Sequence, residues 1–163
     1  MLSKNCAEML ELMFACSQVG AVMAGLNWRL SAREIAAIVA DAAPKVLVVA
    51  PEEEPLLAEL TTEVAAGMRI VRLGEYYDTW RAQMQPVDPG HDGAPGDVAL
   101  LLYTSGTTGT PKGVVHTHHS LLDRARAGAE FDALTDAEEV LAYLPPAWIG
   151  QNIFSYAQWL ACG

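Results

Sequence analysis

The chain has 163 residues, enough for one ordinary domain or a piece of a larger one, and 52% of them are hydrophobic, which excludes a disordered segment. Ten Lys and Arg stand against twenty Asp and Glu, giving a net charge of −10 with no basic run. Nucleic acid and anionic membrane surfaces are therefore poor partners.

Residues 7 to 25 read as a largely buried helix, with Gly20 and Gly25 allowing close approach. Within them begins the apolar run LMFACSQVGAVMAGL, Leu12 to Leu26. Only Lys4 supplies an early positive charge, and Glu8 and Glu11 come just before the run, which argues against a secretory signal. The run is also too short to span a bilayer as a helix. Cys6, Cys16 and Cys162 form no CxxC or His-spaced pattern, so free thiols in a reducing compartment are expected. The reading is a soluble, cytoplasmic protein without a transmembrane segment, which leaves peripheral membrane contact open.

SARE, Ser31 to Glu34, is a capping box opening a helix whose apolar face is Ile35, Ile38 and Val39; Pro44 stops it. KVLVVA, Lys45 to Ala50, is a continuous apolar run expected of a strand covered on both faces. An acidic helix over Glu52 to Ala66 and a short strand at Arg69 to Leu73 follow. This order predicts an α/β fold with parallel pairing. QPVDPGHDGAPGD, residues 85 to 97, carries three prolines and three glycines and reads as an exposed connector. VALLLY, Val98 to Tyr103, is another buried strand, and VVH, Val114 to His116, resumes extended structure. A helix over Ser120 to Glu130 has Thr117 as its candidate cap. EVLAYLP, Glu139 to Pro145, reads as a further strand and Ile149 to Ala161 as a helix.

Between two of these strands lies YTSGTTGTPKG, residues 103 to 113, with three glycines, four threonines, one serine and one lysine. Glycines permit close backbone approach, so successive N–H groups can cradle an anion. Ser105, Thr107, Thr108 and Thr110 can each donate to phosphate oxygens, and Lys112 adds a compact charge on a mobile stem. Polyphosphate is the natural ligand. The Walker A pattern does not fit: Pro111 precedes Lys112, Gly113 follows it, and the loop runs into a strand rather than a helix. Gly, Ser and Thr also mark ordinary surface loops, which is all a shorter triplet would support.

The eleven-residue string resembles the phosphate-binding signature of the adenylate-forming (AMP-binding) superfamily, which includes acyl-CoA synthetases, peptide-synthetase adenylation domains and luciferases. Two further stretches are similar to that family in the same order. GAVMAGLNWRLSAREIAAIVADAAPKVLVV, Gly20 to Val49, resembles an early family segment. LPPAWIGQNIFSYAQWLACG, Leu144 to Gly163, resembles the segment that lines the acyl pocket, most like bacterial long-chain fatty-acid–CoA ligases.

The resemblance implies a parallel-rich sheet covered by helices, part of a large N-terminal domain, spanning residues 1 to 163. It implies ATP-dependent activation of a carboxylic, in particular fatty, acid to acyl-adenylate, then thioester formation. ATP, Mg2+ and coenzyme A are the implied cofactors. By position, Thr104, Ser105, Gly106, Thr107, Thr108, Gly109 and Lys112 would hold the ATP phosphates, with Lys112 and Thr108 acting directly in catalysis. The family's later adenine, ribose and second-step motifs do not occur. The expectation is an internal fragment, inactive alone, whose C-terminal part and small domain are absent. Two alternatives stay open: a non-catalytic phosphate- or nucleotide-binding fragment, and an adenylation module with a different thiol acceptor.

Trp148 stands where the family often carries a histidine or aromatic residue beside the carboxylate. As Trp it excludes a proton-donor role, and a substrate-pocket role and a core role remain side by side. Asn152, Tyr156 and Trp159 follow at helical spacing and read as a core face. His116, His118 and His119 read as solvated or capping histidines of a turn after the loop, and no metal site is expected.

Overall fold

The computed structural model describes residues 1–60, 67–104 and 111–162. In chain order its elements are α1 (Ala7–Gln18), β1 (Met23–Ala24), α2 (Ala32–Ala42), β2 (Val46–Val49), α3 (Glu54–Glu59), β3 (Arg69–Arg72) and α4 (Glu75–Ala82). Then follow β4 (Val98–Thr104), β5 (Lys112–Thr117), α5 (His118–Phe131), α6 (Ile149–Asn152), one wide π turn (Ile153–Ala157) and α7 (Gln158–Cys162). The chain is α/β: β2 pairs with β3 in parallel, β1 with β4 in parallel, and β4 with β5 as an antiparallel hairpin.

Local chemistry accounts for the best-defined helix starts. Ser31 Oγ accepts from the N–H of Glu34 at 3.4 Å while the Glu34 carboxylate accepts from the Ser31 N–H at 2.9 Å, a reciprocal capping box. Thr117 and Ser120 make the same exchange at the head of α5. Helix α2 ends at Ala43, whose backbone is left-handed at φ 43°, immediately before Pro44.

Tertiary packing follows from strand alternation. Leu47 and Val49 face α2, together with Ile35, Ile38 and Val39. Val48 and Ala50 face the other way, against Val71, Leu73 and Tyr77. Strand β2 is thus covered on both sides, as its continuous apolar run implies. Leu100 and Leu102 of β4 pack with Met9, Met13, Met23 and Leu121, the inner faces of α1, β1 and α5. One residue joins the two sheets: Leu2 bridges Leu26, just past β1, and Val49 of β2. Its N–H donates to Val48 O at 2.8 Å and its carbonyl accepts from Ala50 N–H at 3.0 Å.

Two expectations need correction. The helix predicted over residues 7 to 25 stops at Gln18. Gly20 takes a left-handed φ of 66°, which turns the chain so that Met23 and Ala24 pair with Leu100 and Leu101. The strand predicted at Glu139 to Pro145 does not form. Instead the Asn5 side-chain amide donates to the carbonyls of Ala142 and Leu144, at 2.9 and 3.0 Å, and Leu141 and Tyr143 face solvent. An alternating apolar pattern makes a strand only where another strand's edge is free to receive it. The acidic helix expected over Glu52 to Ala66 opens as a 3-10 turn at Pro51–Glu53 and continues as α3 to Glu59; residues 61–66 lie outside the described residues. Residues 85–94 form no helix or strand and are exposed. Among the described residues no helix is long and apolar enough to cross a membrane.

Candidate active site

The β4–β5 hairpin delivers both ends of the glycine-rich connection to one place. Tyr103 opposes Gly113 in the ladder and Thr104 opposes Lys112. Gly113 is closely packed: a Cβ there would lie 3.0 Å from Leu101 Cδ1 and 3.3 Å from the Tyr103 ring. Ser105, Gly106, Thr107, Thr108 and Gly109, expected to hold phosphate, lie outside the described residues. Lys112 begins β5 and is exposed.

A cavity of about 700 Å³ opens at this end of the hairpin. The hairpin contributes Thr104, Pro111, Val114 and His116 to its wall. Asn27 and Leu30 come from the turn before α2, and Glu34 and Ile38 from α2 itself. The third side is the turn entering α6, with Trp148 at its centre. The structure therefore brings Thr104 and Trp148, two sequence-predicted site residues, to the same cavity. Lys112 is not among the residues that wall it. Trp148 is 46% exposed in this chain.

The cavity's polar groups are few and individually constrained. Asn27 Oδ1 accepts from the Arg29 N–H at 3.1 Å. Glu34 is engaged by the hydroxyl and N–H of Ser31, which hold its carboxyl below the ordinary carboxylate range. Burial pushes the His116 pKa down, favouring the neutral imidazole. The Tyr103 hydroxyl donates to Asp41 Oδ2 at 2.5 Å, and burial with that bond pushes its pKa up to about 12. The result is a largely apolar chamber of small-molecule size with a few convergent polar groups, the usual build of a ligand site.

The sequence reading missed His116 as a cavity residue by grouping it with His118 and His119. Val114 and His116 share one side of β5, so the period-two alternation after the loop carried the signal. The three histidines do not sit on one turn. His116 lies on the strand, while His118 and His119 open α5, where their N–H groups donate to Asp97 O and Pro95 O. Among the described residues no group of three or more His, Cys, Asp or Glu side chains could hold a metal ion. The face predicted from Asn152, Tyr156 and Trp159 divides: Asn152 is buried, Tyr156 half-buried and Trp159 46% exposed, because the π turn shifts the helical phase between them.

Comparison with known proteins adds four findings. The family model described as AMP-binding enzyme matches residues 1–163. The fatty acid–[acyl-carrier-protein] ligase ScoC of Streptomyces coeruleorubidus is 38% identical over 120 residues, covering 73% of this chain and 23% of that protein. A feruloyl-CoA synthase from Amycolatopsis is 41% identical over 122 residues, covering 74% of this chain and 23% of that one. Among solved structures, a putative long-chain-fatty-acid CoA ligase from Rhodopseudomonas palustris superposes with a TM-score of 0.86 at 26% identity, covering 99% of this chain and 42% of that one. The chain spans about a quarter of the length of these curated relatives.

Proposed function

This chain belongs to the AMP-binding enzyme family, and from that premise we propose that the complete protein activates a carboxylic acid with ATP and transfers the acyl group to a thiol. The observation that carries the reading is that Thr104, at the edge of the glycine-rich loop, and Trp148 wall one apolar cavity. The loop side would take the phosphates and the cavity would take the body of the acid.

In the first step the acid's carboxylate oxygen attacks the α-phosphorus of ATP, forming acyl-adenylate and releasing pyrophosphate. Charge grows on the departing β- and γ-phosphates, and positioned donors stabilise it most where water is excluded. Ser105, Thr107 and Thr108 supply hydroxyls, Gly106 and Gly109 allow backbone N–H groups to approach, and Lys112 supplies the mobile cation. Mg2+ would enter with ATP and offset the charge on its phosphates. In the second step a thiolate attacks the acyl carbonyl and AMP leaves.

Coenzyme A is the proposed acceptor, and a small-molecule acid, in particular a fatty acid, the proposed substrate in a cytoplasmic setting. The chamber's apolar wall supports an apolar acid. The relatives' own names run from fatty acid to feruloyl, which favours a series of acids as the test. The full-length enzyme, given ATP and radiolabelled pyrophosphate, should exchange label only when an accepted acid is present. A panel of alkyl and aryl acids, followed by coenzyme A or a carrier-protein thiol, then ranks acid and acceptor. No acid-dependent exchange across the panel would overturn the enzymatic reading and leave a nucleotide-binding role.

A further inference from the structure

The ring of Trp148 is half in solvent, so its own packing does little to fix it. Its place in the cavity wall is inherited from its backbone, whose carbonyl accepts from the N–H groups of Gln151 and Asn152, at 3.1 and 3.4 Å, and from one side chain. Asn152 is 2% exposed, and its Nδ2 donates to Pro146 O at 2.9 Å and to Trp148 O at 2.8 Å. Both partners are carbonyls, which only accept, so the amide must present its NH2 to them. The same Pro146 carbonyl lies close against Gly25, where an added Cβ would sit 2.9 Å from the oxygen. The Trp148 N–H closes the turn onto Pro145 O at 2.9 Å.

Helix α6 has only four residues and gives way at once to the π turn, so it is too short to order the preceding turn unaided. The buried amide substitutes for that missing order. We infer that Asn152 is a positioning residue: pinning the Pro146 and Trp148 carbonyls against Gly25, it places the Trp148 ring in the cavity wall and thereby tunes which acids fit. The second half of the inference rests on the acid-pocket reading given above; the first half does not.

The test uses the full-length enzyme. Asn152→Leu keeps approximate volume and removes the donors, leaving Pro146 O to lose its buried partner. The Trp148 contribution to fluorescence, obtained by difference against Trp148→Phe, should change its emission maximum and acrylamide quenching. Gly25→Ala, crowding the same carbonyl, should also shift the Trp148 emission and serves as the second variant should Asn152→Leu fold poorly. Kinetically, Asn152→Leu should raise KM for the preferred acid about ten- to a hundred-fold, the scale of displacing a substrate-positioning group, while KM for ATP stays within about two-fold. In a Trp148→Ala background the same substitution should add nothing further to the acid KM.

Unchanged Trp148 fluorescence in both variants overturns the positioning role. Effects of Asn152→Leu and Trp148→Ala that simply multiply, or equal rises in both KM values, overturn the claim that Asn152 acts through the ring. If Trp148→Ala itself leaves the acid profile unchanged, the acid-pocket reading fails, and the fluorescence arm still decides the positioning claim.

Discussion

Thr104 and Lys112 are cross-strand partners, the last register pair before the glycine-rich connection. Antiparallel partners hold their Cα atoms about 4.5 to 5.5 Å apart, so the two described ends of the connection lie side by side. The hydroxyl side chain and the ammonium side chain thus flank the same loop without being neighbours in sequence.

Lys112 is exposed and heads its strand, so removing its charge should leave the fold intact. In the full-length enzyme Lys112→Ala should lower acid-dependent ATP–pyrophosphate exchange roughly ten- to a thousand-fold, the scale of losing one charge-stabilising donor. The thermal midpoint should hardly move. Exchange at the wild-type rate would remove Lys112 from phosphate handling.

Trp148→Ala should enlarge the chamber from its side wall. The expected outcome is a shift in the ranking of acids by chain length or ring size, with the apparent affinity for ATP little changed. Competition between short and long acids in one reaction gives the ratio directly. A fall in thermal stability with an unaltered ranking would return this tryptophan to a packing role.

His116 makes stability pH-dependent on the acid side. Its folded pKa is lowered by burial, while the unfolded side chain titrates near 6.5. As pH falls below that value the unfolded chain takes up a proton that the folded site resists, so stability drops with acidification. His116→Gln should flatten the change in melting temperature between about pH 7.5 and 5.5. Parallel slopes for variant and wild type would contradict the assignment.

On the alkaline side Tyr77 and Tyr103 act with the opposite sense. Burial is the leading cause for both, joined by bonds to Glu11 and Asp41, and each is pushed up to about 12. Unfolded tyrosine ionises near 10, so their contribution is intact below pH 10 and is lost as pH rises towards 12. Tyrosinate absorbance should show Tyr77, Tyr103 and Tyr156, the last also raised by burial, ionising late in the folded protein, and Tyr103→Phe should remove one. Ionisation of all tyrosines near pH 10 in the folded state would refute this.

What could be read from residues alone was what local chemistry decides. Ser31 with Glu34, and Thr117, mark helix starts because their side chains reach backbone N–H groups within the same turn. Lys45 to Ala50 reads as a doubly covered strand because its apolar run is continuous, and in the fold every position but the first two is buried. Long-range pairing is invisible to such reading. Met23 becomes a strand residue only because Leu100, far along the chain, offers it an edge, whereas Val140 to Tyr143 pair with no strand among the described residues. At the site, Trp148 stood out through its place in the resemblance to the family. Asn152 passed for a core residue, since helical spacing says which side a residue faces but not which carbonyls it meets. Residues 105–110 were the plainest chemical signal in the sequence and lie outside the described residues.

Leu2 has a consequence for how the molecule comes apart. Its two bridges splice a two-stranded ribbon to a three-stranded one, so the hairpin bearing the loop is joined to α2 and β2 through this backbone as well as through the Tyr103–Asp41 hydrogen bond. Amide hydrogens at Leu26 and Ala50, which donate to Met1 O and Leu2 O, should then exchange with solvent together rather than separately. Opening that splice together with the Tyr103–Asp41 bond would let the cavity's α2 wall drift from its hairpin wall while each ribbon stayed paired. The chamber would dissolve before the strands do.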